Sequence, residues 1–540
     1  MKQKYWTGLS ILSAILLSMP WLGKFTTGTL LFAFFPLLLV ENSIYVQKQR
    51  YKSIVFFGYA MLCFFLWNFF STWWITKVTI IEGFLVFILN ALFMAIIWWL
   101  FHIIHRHFSS SLSYLSLIFM WIGYEYLHFT WSMAWPWLTL GNGFANSPKI
   151  IQWYEYTGVM GGSLWILIIN LLLFSIYLSF NQKGIKKSQG KIICILLFIL
   201  IPSISSVWKY NHYREEGKSW EIGIIQPNID PYTEKFKGMS EKEQSQRLLS
   251  MTDSIISDSI NFILWPETAI DSIWENNKIM ENSVLHNLHC KTILYPSLNI
   301  IIGATTKKKI IAEKKNGKNR IVYNSALLIN KNKKIQIYHK NKLVTGVEKM
   351  PFEKYSKWIN KFIVNLGGTS ESLGTTPEEE NFTSSSGMKV ASAICFESVF
   401  GGYVAKRIKK DAELIFFLTN DGWWKDTPGY RQHLSYARLR AIETRRSIAQ
   451  AANTGISAFI NQRGDIIKQT KWWKKTVMQG KLKSNNKITF YVKYGDYIGQ
   501  ICTFMAIIIV LLCLCTIYYR KKQYNLKTKK VRINSIVQNP

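Results

Sequence analysis

Three residue types that together can activate a thiol as a nucleophile occur in the second half of the chain, each at the end of a short apolar run. Cys395 closes the run in "ASAICFES" and is followed by Phe396 and Glu397. Glu267 lies one proline beyond the run in "LWPETA". Lys340 ends the run in "YHKNKLVTGVEKM", with Glu348 eight positions later. A free thiol titrates at about 8.5, so only about a few per cent is thiolate at neutral pH. A carboxylate can take its proton, and an ammonium can favour the anion. The ammonium and the backbone N–H after the cysteine can also bind the oxyanion of a tetrahedral intermediate. Taken singly, each residue has an ordinary reading: a solvated loop acid, one of many surface lysines, a buried core thiol. Glu267, Lys340 and Cys395 are 73 and 55 positions apart, so only a fold can bring them together.

Strand ends on one side of a sheet are where distant residues converge. The surrounding sequence has the elements for this. Between about 219 and 488, β-rich runs such as "EIGIIQ", "NFILWPE", "NIIIGATT", "IVYNSALLIN", "KVASAIC" and "AELIFFLTN" appear. Helical periodicity separates some of them, in "SEKEQSQRLLSMTDSII" and "GYRQHLSYARLRAIETRR". The pattern predicts a layered α/β domain with buried sheets. It holds no glycine-rich dinucleotide turn and no P-loop. Gly367-Gly368 and Gly401-Gly402 read as turns. Seven cysteines form no CxxC pair and no zinc spacing, so neither a metal nor another cofactor is expected.

The rest of the chain is of another kind. Hydrophobic residues make up 49% of 540 positions, with 22 Trp and 33 Phe, too apolar for an ordinary soluble enzyme. A net charge of +33 raises the question of nucleic acid. The lysines and arginines instead flank apolar runs or scatter through polar loops, so nucleic acid is not an expected partner. Eight runs are long enough to span a bilayer, at roughly 6–22, 28–46, 53–75, 79–104, 112–130, 162–180, 190–207 and 499–519. The first, after "MKQK", lacks a cleavage site and reads as retained. Basic residues concentrate in alternate connections: Lys48, Arg50 and Lys52; Arg106; Lys183, Lys186, Lys187 and Lys191; and the tail after the last span. That bias predicts cytoplasmic termini and an outer location for the α/β domain. The expected division is a seven-span domain over 1–210, the α/β domain over 219–488, an eighth span over 499–519 and a basic cytoplasmic tail over 520–540.

In combination the motifs resemble a known family. "WPET", "KNKLV" followed by "GVE", and "ICFE" are similar to the Glu-Lys-Cys triad of the nitrilase, or carbon–nitrogen hydrolase, superfamily. "LTNDGWW" and "QHLSYARLRAIETRRSIAQAANTGIS" extend the likeness. The whole layout resembles the membrane-embedded branch of that superfamily, the apolipoprotein N-acyltransferases of bacterial envelopes. The resemblance implies a nitrilase-like αββα sandwich beside a multi-span helical domain in the bacterial inner membrane, with the catalytic domain periplasmic. It implies Glu267, Lys340 and Cys395 as the catalytic triad, with Glu348, Phe396 and Glu397 in support. The implied donor is a phospholipid, typically phosphatidylethanolamine, and the implied acceptor is the lipidated N-terminal cysteine of a diacylated apolipoprotein. Two departures stand out. Thr345-Gly346-Val347-Glu348 occupies a place where the family often has Pro-Phe-Gly-Glu, and Phe396 one where it often has Tyr.

Some segments carry two readings. Phe352 and Trp358, in "MPFEKYSKWINKFIV", and the pair Trp423 and Trp424 fit either core packing or membrane-dipping loops that gate acyl entry. The Trp-rich connection "HFTWSMAWPWLTLGNGFANSPKIIQWYEYTG" fits an interfacial belt or an outer ledge that contacts substrate. Two other functions use the same residues differently: a membrane-tethered amidase that resolves the thioester with water, and a receptor or transporter with an inactive nitrilase-like domain.

Overall fold

The computed structural model describes residues 2–23, 26–131, 133–183, 188–276, 278–309, 320–349, 372–376 and 380–537. The N-terminal part is a bundle of helices: α1 (Lys2–Leu22), α2 (Phe35–Val46), α3 (Ile54–Thr72), α4 (Ile80–His107), α5 (Ser110–His128), α6 (Tyr154–Lys183) and α7 (Gln189–His212). Among the described residues, seven helices of the chain are long and apolar enough to cross a membrane, the last being Tyr497–Arg520. The exception is α5, where the sequence suggests a fifth span. Its 19 residues include four serines and Glu125. It packs against α4, α6 and the C-terminal helix, with Ser113, Ser116 and Glu125 turned inward.

The second part is a two-sheet sandwich. Its first half contains β1 (Ser219–Gln226), α8 (Glu241–Asp253), β2 (Phe262–Leu264), β3 (Ile270–Trp274), α9 (Ser283–Leu294), β4 (Asn299–Lys309), β5 (Arg320–Ile329) and β6 (Gln336–His339). The second half contains β7 (Phe382–Thr383), β8 (Lys389–Ile394), α10 (Gly401–Ile408), β9 (Leu414–Thr419), α11 (Pro428–Thr444), β10 (Ile448–Ala452), β11 (Ala458–Ile460), β12 (Ile466–Gln469) and β13 (Thr476–Lys483). One sheet runs β13-β1-β2-β4-β5-β6, with β3 added beside β4. The other runs β12-β11-β10-β9-β8-β7.

Both central strand sets are parallel and covered on both faces, which explains their unbroken apolar runs. Ile222, Ile224, Leu264 and Ile301 meet Val390, Ile394, Phe416 and Leu418 between the sheets. Ile225, Ile263, Ile300 and Ile302 face α8 and α9 on the other side. Ala391 and Ala393 face α10 and α11, and their small side chains let these helices sit close. The layers are therefore αββα. Gly401 and Gly402 differ from expectation: they open α10 rather than form a turn. A Cβ at Gly402 would lie 2.1 Å from Asp496 Oδ2, so a larger residue there would displace that carboxylate. After α12 (Phe490–Tyr494), α13 (Tyr497–Val537) continues as one helix through the basic tail.

The two parts are joined through α11. Gln432 donates to Trp21 O and Ser71 O, each at 2.9 Å, and accepts from the indoles of Trp137 at 2.7 Å and Trp74 at 3.1 Å. Tyr436 OH donates to Trp137 O at 2.7 Å, and Arg445 pairs with Glu155 at 2.6 Å. A helix with so many polar residues is buried all round because its partners satisfy them.

Candidate active site

Three strand ends meet at one place. β2 stops at Leu264, and Trp265 still donates to Ile301 O at 2.8 Å before the chain leaves the sheet and presents Glu267. This turn lies against Gly303 of β4. A Cβ there would stand 2.3 Å from Pro266 O and 2.6 Å from Glu267 Cα, so only glycine permits the approach. Lys340 follows β6 directly, and its N–H donates to Asn324 O at 2.8 Å. Cys395 follows β8 with φ at +50°. A residue with a side chain is strained there by roughly 1–3 kcal/mol, which the surrounding contacts must offset.

At the centre, the Lys340 ammonium donates to Glu267 Oε1 at 3.1 Å and to Glu348 Oε1 at 2.8 Å. Asn324 Nδ2 donates to the same two oxygens at 2.8 and 3.0 Å. Glu348 Oε2 accepts from Val344 N–H at 2.9 Å, so the departure at Thr345 leaves this carboxylate anchored. Lys340 is 1% exposed and Glu267 7%. Burial works against the ammonium, but Glu267 and Glu348 outweigh it and hold its pKa well above the ordinary lysine range. Burial, and next the Glu267 carboxylate, push the Cys395 thiol well above its ordinary range, with Lys340 opposing them. Both influences disfavour a thiolate, so the attack needs the thiol proton to pass to a neighbouring carboxylate, which is general-base chemistry.

Glu397 ties two of the strand ends together. Its Oε1 accepts from the N–H groups of Asn341 at 2.7 Å and Lys342 at 3.2 Å. Its Oε2 accepts from Ile394 N–H at 2.8 Å and Tyr338 OH at 2.5 Å. One buried carboxylate thus fixes the residues after Lys340 to the residue before Cys395. Phe396 stacks on Trp135, with ring centroids 5.9 Å apart, and meets Phe400 edge-on at 5.0 Å. Behind the Cys395 turn stands His433 of α11, bonded to Asp421.

These groups open on a cavity of about 240 Å³. It is lined by the polar groups of Glu267, Asn324, Lys340, Glu348, Cys395 and Asn420 and by the rings of Trp74, Trp135, Trp137, Phe236, Trp423 and Trp424. Val78, just before α4, and Glu82 and Val86 in its first turns also line it, beside the exposed Ile80, Ile81 and Leu85.

Of the residues singled out from sequence, Glu267, Lys340, Glu348, Cys395, Phe396, Trp423 and Trp424 border this cavity. Glu397 lies behind it, and Phe352 and Trp358 fall outside the described residues. Trp423 and Trp424 are packed as well as cavity-lining: Trp424 meets Trp74 at 4.7 Å, and Trp423 meets Tyr232 at 5.4 Å. Trp135 and Trp137 show that the long Trp-rich connection forms part of the wall. Sequence reasoning missed Asn324, Gly303, Asp421 and His433. Asn324 lies alone in the apolar run "YNSALL", and Asp421 and His433 lie in "LTNDGWW" and "QHLSYARL", motifs that carried the family likeness without a role for either residue.

A two-sheet sandwich with Glu, Lys and Cys at three converging strand ends, set on a base of long apolar helices, defines a carbon–nitrogen hydrolase domain joined to a helical platform. Residues 221–487 match the carbon-nitrogen hydrolase family, and residues 6–172 match the apolipoprotein N-acyltransferase N-terminal domain. The chain belongs to the apolipoprotein N-acyltransferase family. It is 28% identical over 492 residues to the apolipoprotein N-acyltransferase of Chlorobaculum tepidum, covering 89% of this chain and 90% of that one. It is 24% identical over 514 residues to that of Geobacter metallireducens, covering 93% and 94%.

Proposed function

We propose that the protein is an N-acyltransferase that moves a fatty acyl chain from a phospholipid to the α-amino group of the N-terminal diacylglyceryl-cysteine of apolipoproteins, through a thioester on Cys395. The observation that carries this reading is the cavity. Cys395 lines it together with Glu82 and Val86 of α4, a helix long and apolar enough to cross a membrane. Acyl chains held in a bilayer gain about 0.8 kcal/mol per buried CH₂, so their enzyme must bring its site to the lipid. A small polar amide needs no such placement.

In the first step, Cys395 Sγ attacks the ester carbonyl carbon while Glu267 takes the thiol proton. The oxyanion is held by Lys340 and the Phe396 N–H. The C–O bond breaks, and Glu267 returns the proton to the leaving lysophospholipid oxygen. In the second step, the amine of the acceptor attacks the thioester and gives its proton to Glu267. The C–S bond breaks, and the sulfur recovers that proton. Glu348 and Asn324 orient Lys340 and Glu267, and Glu397 holds the two turns in register. Phosphatidylethanolamine is the proposed donor. The proposed setting is the bacterial inner membrane, with both termini cytoplasmic and the sandwich periplasmic.

The first half-reaction can be isolated. Purified protein given phospholipid without acceptor should stall with an acyl chain on Cys395, labile to neutral hydroxylamine and mapped by mass spectrometry. Cys395→Ser and Glu267→Gln should form no such adduct. Cys290 is a stringent control, because it is exposed and His286 Nε2 lies 3.6 Å from its sulfur. An adduct on Cys290, or one persisting in Cys395→Ser, overturns the assignment. Release of free fatty acid instead of an amide when an acceptor is supplied would favour the hydrolase.

A further inference from the structure

We infer that His433 is a standing imidazolium and acts as a positioning residue that holds the Cys395 turn and offsets the carboxylates around its thiol. The charge follows from counting hydrogens. Ser398 Oγ donates its only hydrogen to Cys395 O at 2.8 Å. Its oxygen also lies 2.8 Å from His433 Nε2 and can accept from it. Cys395 O, 3.1 Å from the same nitrogen, can only accept. Nε2 must carry a hydrogen. Nδ1 faces Asp421 Oδ1 at 2.9 Å, and that oxygen already accepts from Thr419 OH at 2.5 Å. This oxygen acts as the acceptor in both contacts, so Nδ1 carries a hydrogen too, and a ring with both is charged.

The surroundings agree. The ring is buried between Trp137 and Trp424, with centroids 5.9 and 5.6 Å away, a setting that favours a cation. Burial opposes the charge, but Asp421 outweighs it and raises the pKa of His433. A ring nitrogen of His433, a carboxylate oxygen of Asp421 and Cys395 Sγ all lie within 4.8 Å of one another. Both ring nitrogens are committed, so the trio leaves no imidazole lone pair for a metal. Three carboxylates, Glu267, Asp421 and Glu348, disfavour a thiolate here, and Lys340 opposes them. His433 supplies a second cation from behind the turn.

This consequence for the thiol rests on the reading of Cys395 as nucleophile; the charge on His433 does not. Two measurements on the full chain in lipid nanodiscs separate them. Nitrogen-15 spectra of histidine-labelled protein at pH 8 should show one imidazolium with both nitrogens protonated, absent in His433→Gln. A neutral ring there overturns the inference whatever Cys395 does. Next, the pH dependence of iodoacetamide labelling of Cys395 is followed. His433→Gln keeps a donor for Cys395 O but no charge, and should raise the labelling midpoint by about one pH unit, or about tenfold less thiolate at a given pH. Adding Asp421→Asn should recover part of that shift, because the carboxylate left unpaired is gone. A role confined to packing predicts no recovery, and that result overturns the electrostatic part. If the midpoints shift as expected but Cys395 forms no acyl adduct, the nucleophile reading fails while this inference stands.

Discussion

Lys340 and Lys342 sit two positions apart and face different surroundings. The Lys340 ammonium is inside the cavity between two carboxylates, whereas Lys342 Nζ lies over the Phe400 ring at 5.1 Å and outside that cavity. Lys340→Met should lower the acyl-transfer rate by about 10²–10³-fold, as for a lost oxyanion donor. It should also destabilise the fold by about 3–5 kcal/mol, since two buried carboxylates lose their cation. Lys342→Met should leave the rate within about threefold of the parent, because this lysine lies outside the cavity and, among the described residues, pairs with no carboxylate. Initial rates and denaturation of the three proteins decide the matter; equal rate losses would mean that the wrong lysine has been assigned. Gly303→Ala is a subtler probe. It removes no functional group but forces the Pro266–Glu267 backbone outward. A fall in kcat by at least about tenfold with unchanged lipid binding is expected, because small misplacements of reacting groups are costly. Unchanged kcat would show that the Glu267 turn tolerates displacement.

At the scale of elements, α11 carries most of the contact between sandwich and bundle. Its outer side presents Gln432 and Tyr436 to the helices, as does Arg445 just past its end, and its inner side packs Leu434, Ala437 and Ala441 on the sheet. Gln432 uses both amide hydrogens and its oxygen on four partners from three different segments of the bundle. Replacing it with Leu leaves two indole N–H groups and two carbonyls buried without it. Each such loss costs about 1–3 kcal/mol, so Gln432→Leu should lower the thermal midpoint by several degrees in detergent. Because His433 follows it directly, activity should fall too. A variant as stable as the parent would mean that water replaces the side chain at this junction.

For the whole molecule, the proposed orientation follows from the placement of positive charge in short connections. A reporter active only outside the cytoplasm should be silent when fused after Lys191 or after Arg520, and active when inserted at Gly317. The reversed pattern would place the sandwich on the cytoplasmic side and separate it from its proposed acceptor. The reporter also bears on α5. A helix that the bundle carries without spanning would change the parity of everything after it, and fusions on either side of α5 read that parity directly.

How much of this was legible in the sequence depends on the range of the forces involved. The apolar runs of β1, β2, β4, β8 and β9 announce buried strands by composition alone, because each must be covered on both faces. Long apolar helices are equally local, since length and hydrophobicity fix them. Glu267, Lys340 and Cys395 were visible as residue types at the ends of such runs. Their convergence was not, because it depends on β2, β6 and β8 being placed in two sheets that face each other. Short pieces escaped notice: β3, β7, β12 and α10 are too brief, or too polar, to show a period. Gly303 looks like any strand glycine until the turn carrying Glu267 is laid across it. Asp421, in the turn after β9, and His433, twelve positions later on α11, lie in motifs that say nothing of their pairing. Only the folded chain stacks them behind Cys395, where the direction of each hydrogen bond, which no linear pattern encodes, decides the charge on the ring.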